Sequence, residues 1–363
     1  MEIASGTFTL DGPLPLQCGE SLPGVAIAYE IYGRLNPARD NAILLCHGLT
    51  ADQHAVSGKS GGAMRPGWWD KAIGPGCALD TRRYCIVSTN ALGSFGGSSS
   101  PAAIDPRTGR PYAMHFPFVT IADMADAQAR FADALGIARF HAAIGGCMGG
   151  FQVLEWLRRH PHRLSRAIVI SATPRTSTHN IALWEVMREA IRCDPNWRGG
   201  DYYDGPRPEA GIALLAMFGA LFWMDRATLA ERFGLRTIES RPLAYGFAPE
   251  FEIEAFLHRV GANARNRLDA NALLYLTRAI DYFDLARGFS DLAAAFADVA
   301  APVLFVSYSG DWRYPPAEIE AMHRAVRAAG GSSRHVELES AWGHGGFLRE
   351  PDRLQPLFHE FLG

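Results

Sequence analysis

The sequence lacks the features that mark several large classes of protein. Its six cysteines (Cys18, Cys46, Cys77, Cys85, Cys147 and Cys193) form no CxxC pair and no compact framework, which argues against a metal cluster or a disulfide scaffold. Lys and Arg number 35 against 38 Asp and Glu, a net charge of −3 with no basic stripe and no long run of one sign. Neither nucleic acid nor an anionic membrane is an obvious partner. No apolar run approaches the roughly 20 residues that span a bilayer. The opening MEIASGTFTLDG has neither the basic start nor the apolar core of a secretion signal. Internal repeats and low-complexity tracts are absent. Two phosphate-loop lookalikes fail: GKS at 58–60 has Gln53 where a P-loop needs glycine, and GSFGGSSS at 93–100 lacks GxGxxG spacing. The second reads as a loop lining a site. What remains is a soluble, cytoplasmic protein with no metal and no bound cofactor.

The 363 residues, 48% of them hydrophobic, suffice for one large core plus an insertion, or for two domains. Short apolar runs bounded by turn residues recur at 25–33, 42–48, 84–90, 140–146, 166–172, 302–308 and 334–340. Most of the later ones are continuous rather than alternating, as in strands buried on both faces. Helical stretches separate them. That at 120–137 opens with Thr120 as a candidate cap, and that from Pro315 to Gly331 starts with prolines and stops at glycines. Strands alternating with helices predict an α/β fold with a mostly parallel central sheet and helices on both faces. From 179 to 289 the alternation stops and the chain turns helix-prone and aromatic. The expected organisation is a core of 1–178 and 290–363 with a helical lid, 179–289, over the carboxyl edge of the sheet, where sites of such folds lie.

HAAIGGCMGG, 141–150, carries the chemistry. Gly145-x-Cys147-x-Gly149 has the spacing of a nucleophile elbow, a strand–turn–helix unit that usually carries serine. Such a turn lifts the nucleophile above the sheet and aims the next N–H, that of Met148, at the developing oxyanion. The helix N-terminus also lowers a thiol's pKa. The partners should follow in the order acid, then histidine. Asp311 falls after the run at 302–308 and His344 after the run at 334–340, both where needed. His47-Gly48 ends the run at 42–48, so the Leu49 N–H is the candidate second oxyanion donor, with His47 stabilising the turn. The chemistry expected is acyl transfer: His344, oriented by Asp311, takes the Cys147 proton, and the thiolate forms a thioester acyl-enzyme.

Across nearly its whole length the chain resembles the homoserine O-acetyltransferase family of α/β-hydrolase-fold enzymes. The resemblance rests on GWWDKAIGPGCALDTRRYCIVSTNALG, DPRTGRPYAMHFPFVTIADM, GGCMGGFQVLEW, DPNWRGGDYY and SGDWRYPP. It implies an α/β-hydrolase fold, acyl-CoA as co-substrate, double-displacement chemistry, a homodimer built through the lid helices, and a triad of Cys147, Asp311 and His344. Departures from the family pattern shape the expectation about the acceptor. The nucleophile is cysteine. Ala216 stands where the family has an arginine thought to grip the homoserine carboxylate. Trp223 stands for a tyrosine, and Gly345 replaces an aspartate that receives the ammonium. Each charge-assisted bond contributes about 1.5–3 kcal/mol, so Ala216, Phe222, Trp223 and Gly345 suggest an apolar pocket and an acceptor other than homoserine. A hydrolase of esters, thioesters or amides, homoserine acetylation with rearranged contacts, and an inactive scaffold are the competing readings.

Overall fold

The computed structural model describes residues 1–60 and 63–363. Eight strands among these residues form one sheet: β1 (Ile3–Thr9), β2 (Ala26–Tyr32), β3 (Ala42–Cys46), β4 (Cys85–Thr89), β5 (Ala142–Gly146), β6 (Ala167–Ile170), β7 (Val303–Tyr308) and β8 (Ser333–Leu338). Their spatial order is β1-β2-β4-β3-β5-β6-β7-β8. β2 runs antiparallel to both β1 and β4, and every later neighbour pair is parallel. The fold is α/β, as expected, and each of the seven apolar runs is a strand. β1 was not foreseen. IASGTFT is a mostly exposed edge strand, so it carries no core-facing pattern to read. Every residue of β3, β4, β5, β6 and β7 is buried, which explains their continuous apolar character.

Helices flank the sheet: α1 (Ile121–Ala134) and α2 (Met148–Arg159) precede β6, and α8 (Pro316–Ala328), α9 (Gly346–Arg349) and α10 (Gln355–Leu362) follow β7. Thr120 caps α1 in a reciprocal box: its hydroxyl accepts from the Asp123 N–H while the Asp123 carboxylate accepts from the Thr120 N–H. Between β6 and β7 lie five helices and no strand of the sheet: α3 (Thr178–Arg192), α4 (Glu209–Ala220), α5 (Arg226–Arg232), α6 (Glu252–Arg265) and α7 (Ala270–Asp281). Within this segment α4 packs on α3 and α6, and α3 packs on α7. No helix among the described residues is long and apolar enough to cross a membrane. Ser98 and Ser99 hydroxyls accept from the Ala28 and Ala26 N–H groups, so these serines brace β2.

Candidate active site

Parallel strands end together, so the carboxyl ends of β3, β5 and β7 gather at one edge. β5 enters a turn at Cys147, whose φ of 57° and ψ of −125° lie outside the usual regions for a non-glycine residue. The turn closes because the flanking glycines have no side chain. A Cβ on Gly149 would lie 2.0 Å from the Cys46 carbonyl oxygen, and one on Gly145 would lie 2.2 Å from the Gly149 oxygen. α2 begins at the next residue, Met148.

Asp311 and His344 come to the same edge from the loops after β7 and β8. The His344 ring donates from Nδ1 to Asp311 Oδ2 at 2.8 Å, which leaves Nε2 for the thiol. Asp311 Oδ1 accepts the backbone N–H groups of Arg313 (3.1 Å) and Tyr314 (3.0 Å), so the carboxylate is fixed at both oxygens. All three side chains are buried. Burial opposes the charge on His344, but Asp311 and Cys147 outweigh it and raise the imidazole to about 9. Burial likewise pushes the Cys147 thiol up. The charge and hydrogen bonding of His344, then the Arg313 guanidinium and the Met148 N–H, reverse this and hold it down to about 7. A thiolate–imidazolium pair is therefore the resting state between these values.

The Leu49 N–H has no protein acceptor among the described residues, and the Met148 N–H points at the Cys147 sulfur. Gly48 lies against Cys147, with 3.7 Å from its Cβ direction to the Cys147 Cβ. A free donor and one already turned toward the sulfur thus flank the nucleophile, the arrangement that stabilises an oxyanion. The loop carrying Leu49 is fastened by buried groups. His47 bonds to the Gly48 carbonyl at 2.8 Å through Nδ1 and accepts the Ala91 N–H at 2.9 Å through Nε2, and burial keeps it neutral. His47 is thus a turn-holding residue, as read from the sequence. The GWW stretch joins two loops of the site: Trp68 Nε1 donates to the Asp52 carbonyl and Trp69 Nε1 to the Phe347 carbonyl, both at 2.8 Å.

Of the expected pocket residues, Trp223 and Gly345 meet, with the Trp223 carbonyl oxygen 3.4 Å from where a Gly345 Cβ would stand. Phe222 is buried and packs edge-on to Trp312 at 5.0 Å. Ala216 lies partly buried in α4, the helix that packs on α3 and α6. Two residues escaped the sequence reading. Arg313 is buried, its guanidinium carbon 3.9 Å from the Trp184 ring centroid and 5.4 Å from that of Phe222. Tyr314 is buried with its ring 5.1 Å from His344. Their signal was position, since both directly follow Asp311 in SGDWRYPP.

Residues 41–351 match the family model of the alpha/beta hydrolase fold. The chain is 42% identical over 355 residues to the homoserine O-acetyltransferase of Symbiobacterium thermophilum, covering 98% of this chain and 93% of that protein. It is also 42% identical over 363 residues to the homoserine O-succinyltransferase of Litchfieldella anticariensis, covering 99% and 93%. The crystal structure of homoserine O-acetyltransferase from Bacillus anthracis superposes with a TM-score of 0.91 at 30% identity, covering 100% of this chain and 98% of that one. This full-length likeness overturns the expectation of an acceptor other than homoserine. That expectation took the loss of charge at Ala216 and Gly345 for loss of charge from the whole pocket. A buried guanidinium, that of Arg313, lies near enough for its charge to act on the Cys147 thiol.

Proposed function

Because the chain belongs to the homoserine O-acetyltransferase family of α/β hydrolases, we propose that it transfers an acetyl group from acetyl-CoA to the hydroxyl of homoserine through a Cys147 thioester. The observation that carries the acceptor is the 42% identity to a homoserine O-acetyltransferase over 98% of the chain. The geometry of the elbow supports the route.

The Cys147 thiolate attacks the acyl carbon of acetyl-CoA. The carbonyl electrons move to oxygen, where the Leu49 and Met148 N–H groups receive them. As the tetrahedral adduct collapses, the bond to the CoA sulfur breaks and His344 gives its proton to that sulfur. One thioester replaces another, so this half-reaction needs little driving force. The homoserine hydroxyl then gives its proton to the neutral His344 as its oxygen attacks the acyl carbon. Cys147 leaves as thiolate, O-acetylhomoserine departs, and the resting ion pair is restored. Asp311 holds the ring so that Nε2 serves both proton transfers. The helices between β6 and β7 act as a lid that excludes water. Exposed Leu235, Tyr245 and Phe247 on the same segment suit burial against a second copy in a homodimer.

The test is intact-protein mass spectrometry with acetyl-CoA, then homoserine. The expected result is an acetyl adduct on Cys147 that disappears on adding homoserine, with O-acetylhomoserine formed. Release of CoA into water at the same rate with and without homoserine would overturn the reading in favour of a hydrolase.

A further inference from the structure

Two arginines are buried among the described residues, and their surroundings differ. Arg188 faces carboxylates on two sides, Glu185 at 2.6 Å and Asp281 at 2.8 Å. Arg313 has no ion-pair partner among the described residues. Its one side-chain hydrogen bond runs from Nε to Asn180 Oδ1 at 3.2 Å, and its Nη2 is buried without any acceptor. The charge acts on the Cys147 thiolate, but the buried Nη2 has given up water for no acceptor, which is costly. Its neighbours do not help. Trp184, whose ring the guanidinium covers, has a buried Nε1 that is also unpartnered, and the buried Tyr314 hydroxyl meets nothing but the Cys147 sulfur. An indole N–H and a guanidinium can only donate. Arg313 and Trp184 thus present unanswered donor-only groups, with the Tyr314 hydroxyl between this cluster and the nucleophile.

We propose that Arg313 is the specificity-determining anchor for a substrate carboxylate, with Trp184 and Tyr314 as accessory donors. A carboxylate supplies the acceptor lone pairs and the negative charge that this cluster lacks, and a guanidinium fork matches its geometry. The inference rests on the acyl-transfer reading above. The carboxylate has two sources, the α-carboxylate of the acceptor or the far end of a dicarboxylic acyl chain such as succinyl. Asn180 is the positioning residue. Its amide Nδ2 donates to the Arg313 carbonyl while its Oδ1 accepts from Nε, so it orients the fork from α3.

The experiment compares wild type with R313M, which keeps most of the stacking volume, and R313K, which keeps the charge and loses the fork. Ratios are read, so a general loss of activity cancels. The first ratio is kcat/KM for homoserine over that for 3-amino-1-propanol, which has the same hydroxyl and amine and no carboxylate. The second is the rate of Cys147 acylation by succinyl-CoA over that by acetyl-CoA. A fall of about 100-fold in the first ratio in R313M, partly restored in R313K, is expected if the acceptor's carboxylate binds here. A similar fall confined to the second ratio supports the proposal with the acyl chain as source. If both ratios stay unchanged, Arg313 acts on the thiol alone and the proposal is overturned. A third reading does not depend on acyl transfer: the rate of Cys147 alkylation by iodoacetate over that by iodoacetamide. This ratio should fall about tenfold in R313M. An unchanged ratio overturns the anchor even if no acyl-CoA reacts, whereas a fall with no transfer to homoserine would retain the anchor and discard the proposed acceptor.

Discussion

Cys46 and Cys147 belong to two regions that touch. Cys46 ends β3 inside the sheet, in register with Gly145, and Cys147 sits two residues beyond Gly145 at the elbow. Both are buried. Burial pushes the Cys46 thiol up to about 12, with only a weak Gln128 contact opposing it. At Cys147 the same desolvation is overcome by His344, Arg313 and the start of α2, and the thiol is held down to about 7. The difference lies in the partners each backbone position can reach. The interior of the sheet offers aliphatic side chains, and its carboxyl edge offers loops from three other strands.

The sharpest way to break the comparison is to remove each thiol in turn. C147A should lower kcat for acyl transfer by at least roughly 10⁴-fold, while C46A should leave it within about twofold, read by CoA release. Loss of activity in C46A would show that the two regions are not chemically separate. Selective alkylation comes next. At pH 8 Cys147 is mostly thiolate and Cys46 is not, so iodoacetamide should label Cys147 faster by roughly 10⁴-fold, read by peptide mapping. The direction with pH follows from the shifts. The thiolate is present above about 7 and the imidazolium below about 9, so kcat/KM for acylation should rise through the first value and fall through the second. A single rising limb near 9 would mean that the ion pair does not form. D311N should cost roughly 10³-fold in kcat/KM. It should also move the thiol back up, seen as a shift of the lower limb to higher pH.

How much of this was legible in the sequence follows the same division. The elbow, Asp311 and His344 could be read because a parallel sheet places strand ends at one edge in a known order, whatever the loops contain. Strands β2 to β8 announced themselves through short apolar runs bounded by turn residues, and β1, exposed at the edge, did not. The pocket above the elbow was misread for a physical reason. Position 216 and position 345 each supply one side chain, but charge in a pocket is a property of the assembled cluster. Arg313 reaches it from the loop after β7, stacked on Trp184 from α3, two elements more than 100 residues apart. Several stretches that carried the family resemblance are also braces rather than chemistry. Trp197 Nε1 donates to Asn271 Oδ1 and the Tyr202 hydroxyl donates to Asp269 Oδ2, which fasten DPNWRGGDYY to the start of α7.

Stability offers the smallest and last test of the contrast between the sheet edge and the inserted helices. A Cβ on Gly149 would fall 2.0 Å from the Cys46 carbonyl oxygen, and the nearest atoms are all backbone of Cys46 and His47, which cannot swing aside as a side chain would. G149A should therefore destabilise the fold by about 3 kcal/mol, at the upper end of overpacking costs, because β3 must separate from the elbow. Gly246, in the segment between α5 and α6, has no atom within 4 Å of its Cβ direction and a backbone conformation open to any residue. G246A should change stability by less than about 0.5 kcal/mol. Urea unfolding of the two variants beside wild type decides the matter. Equal midpoints would mean that the close approach of β3 to the elbow is not what holds Cys147 in its strained turn, and the turn would then have to be held from above, by the loops carrying Asp311 and His344.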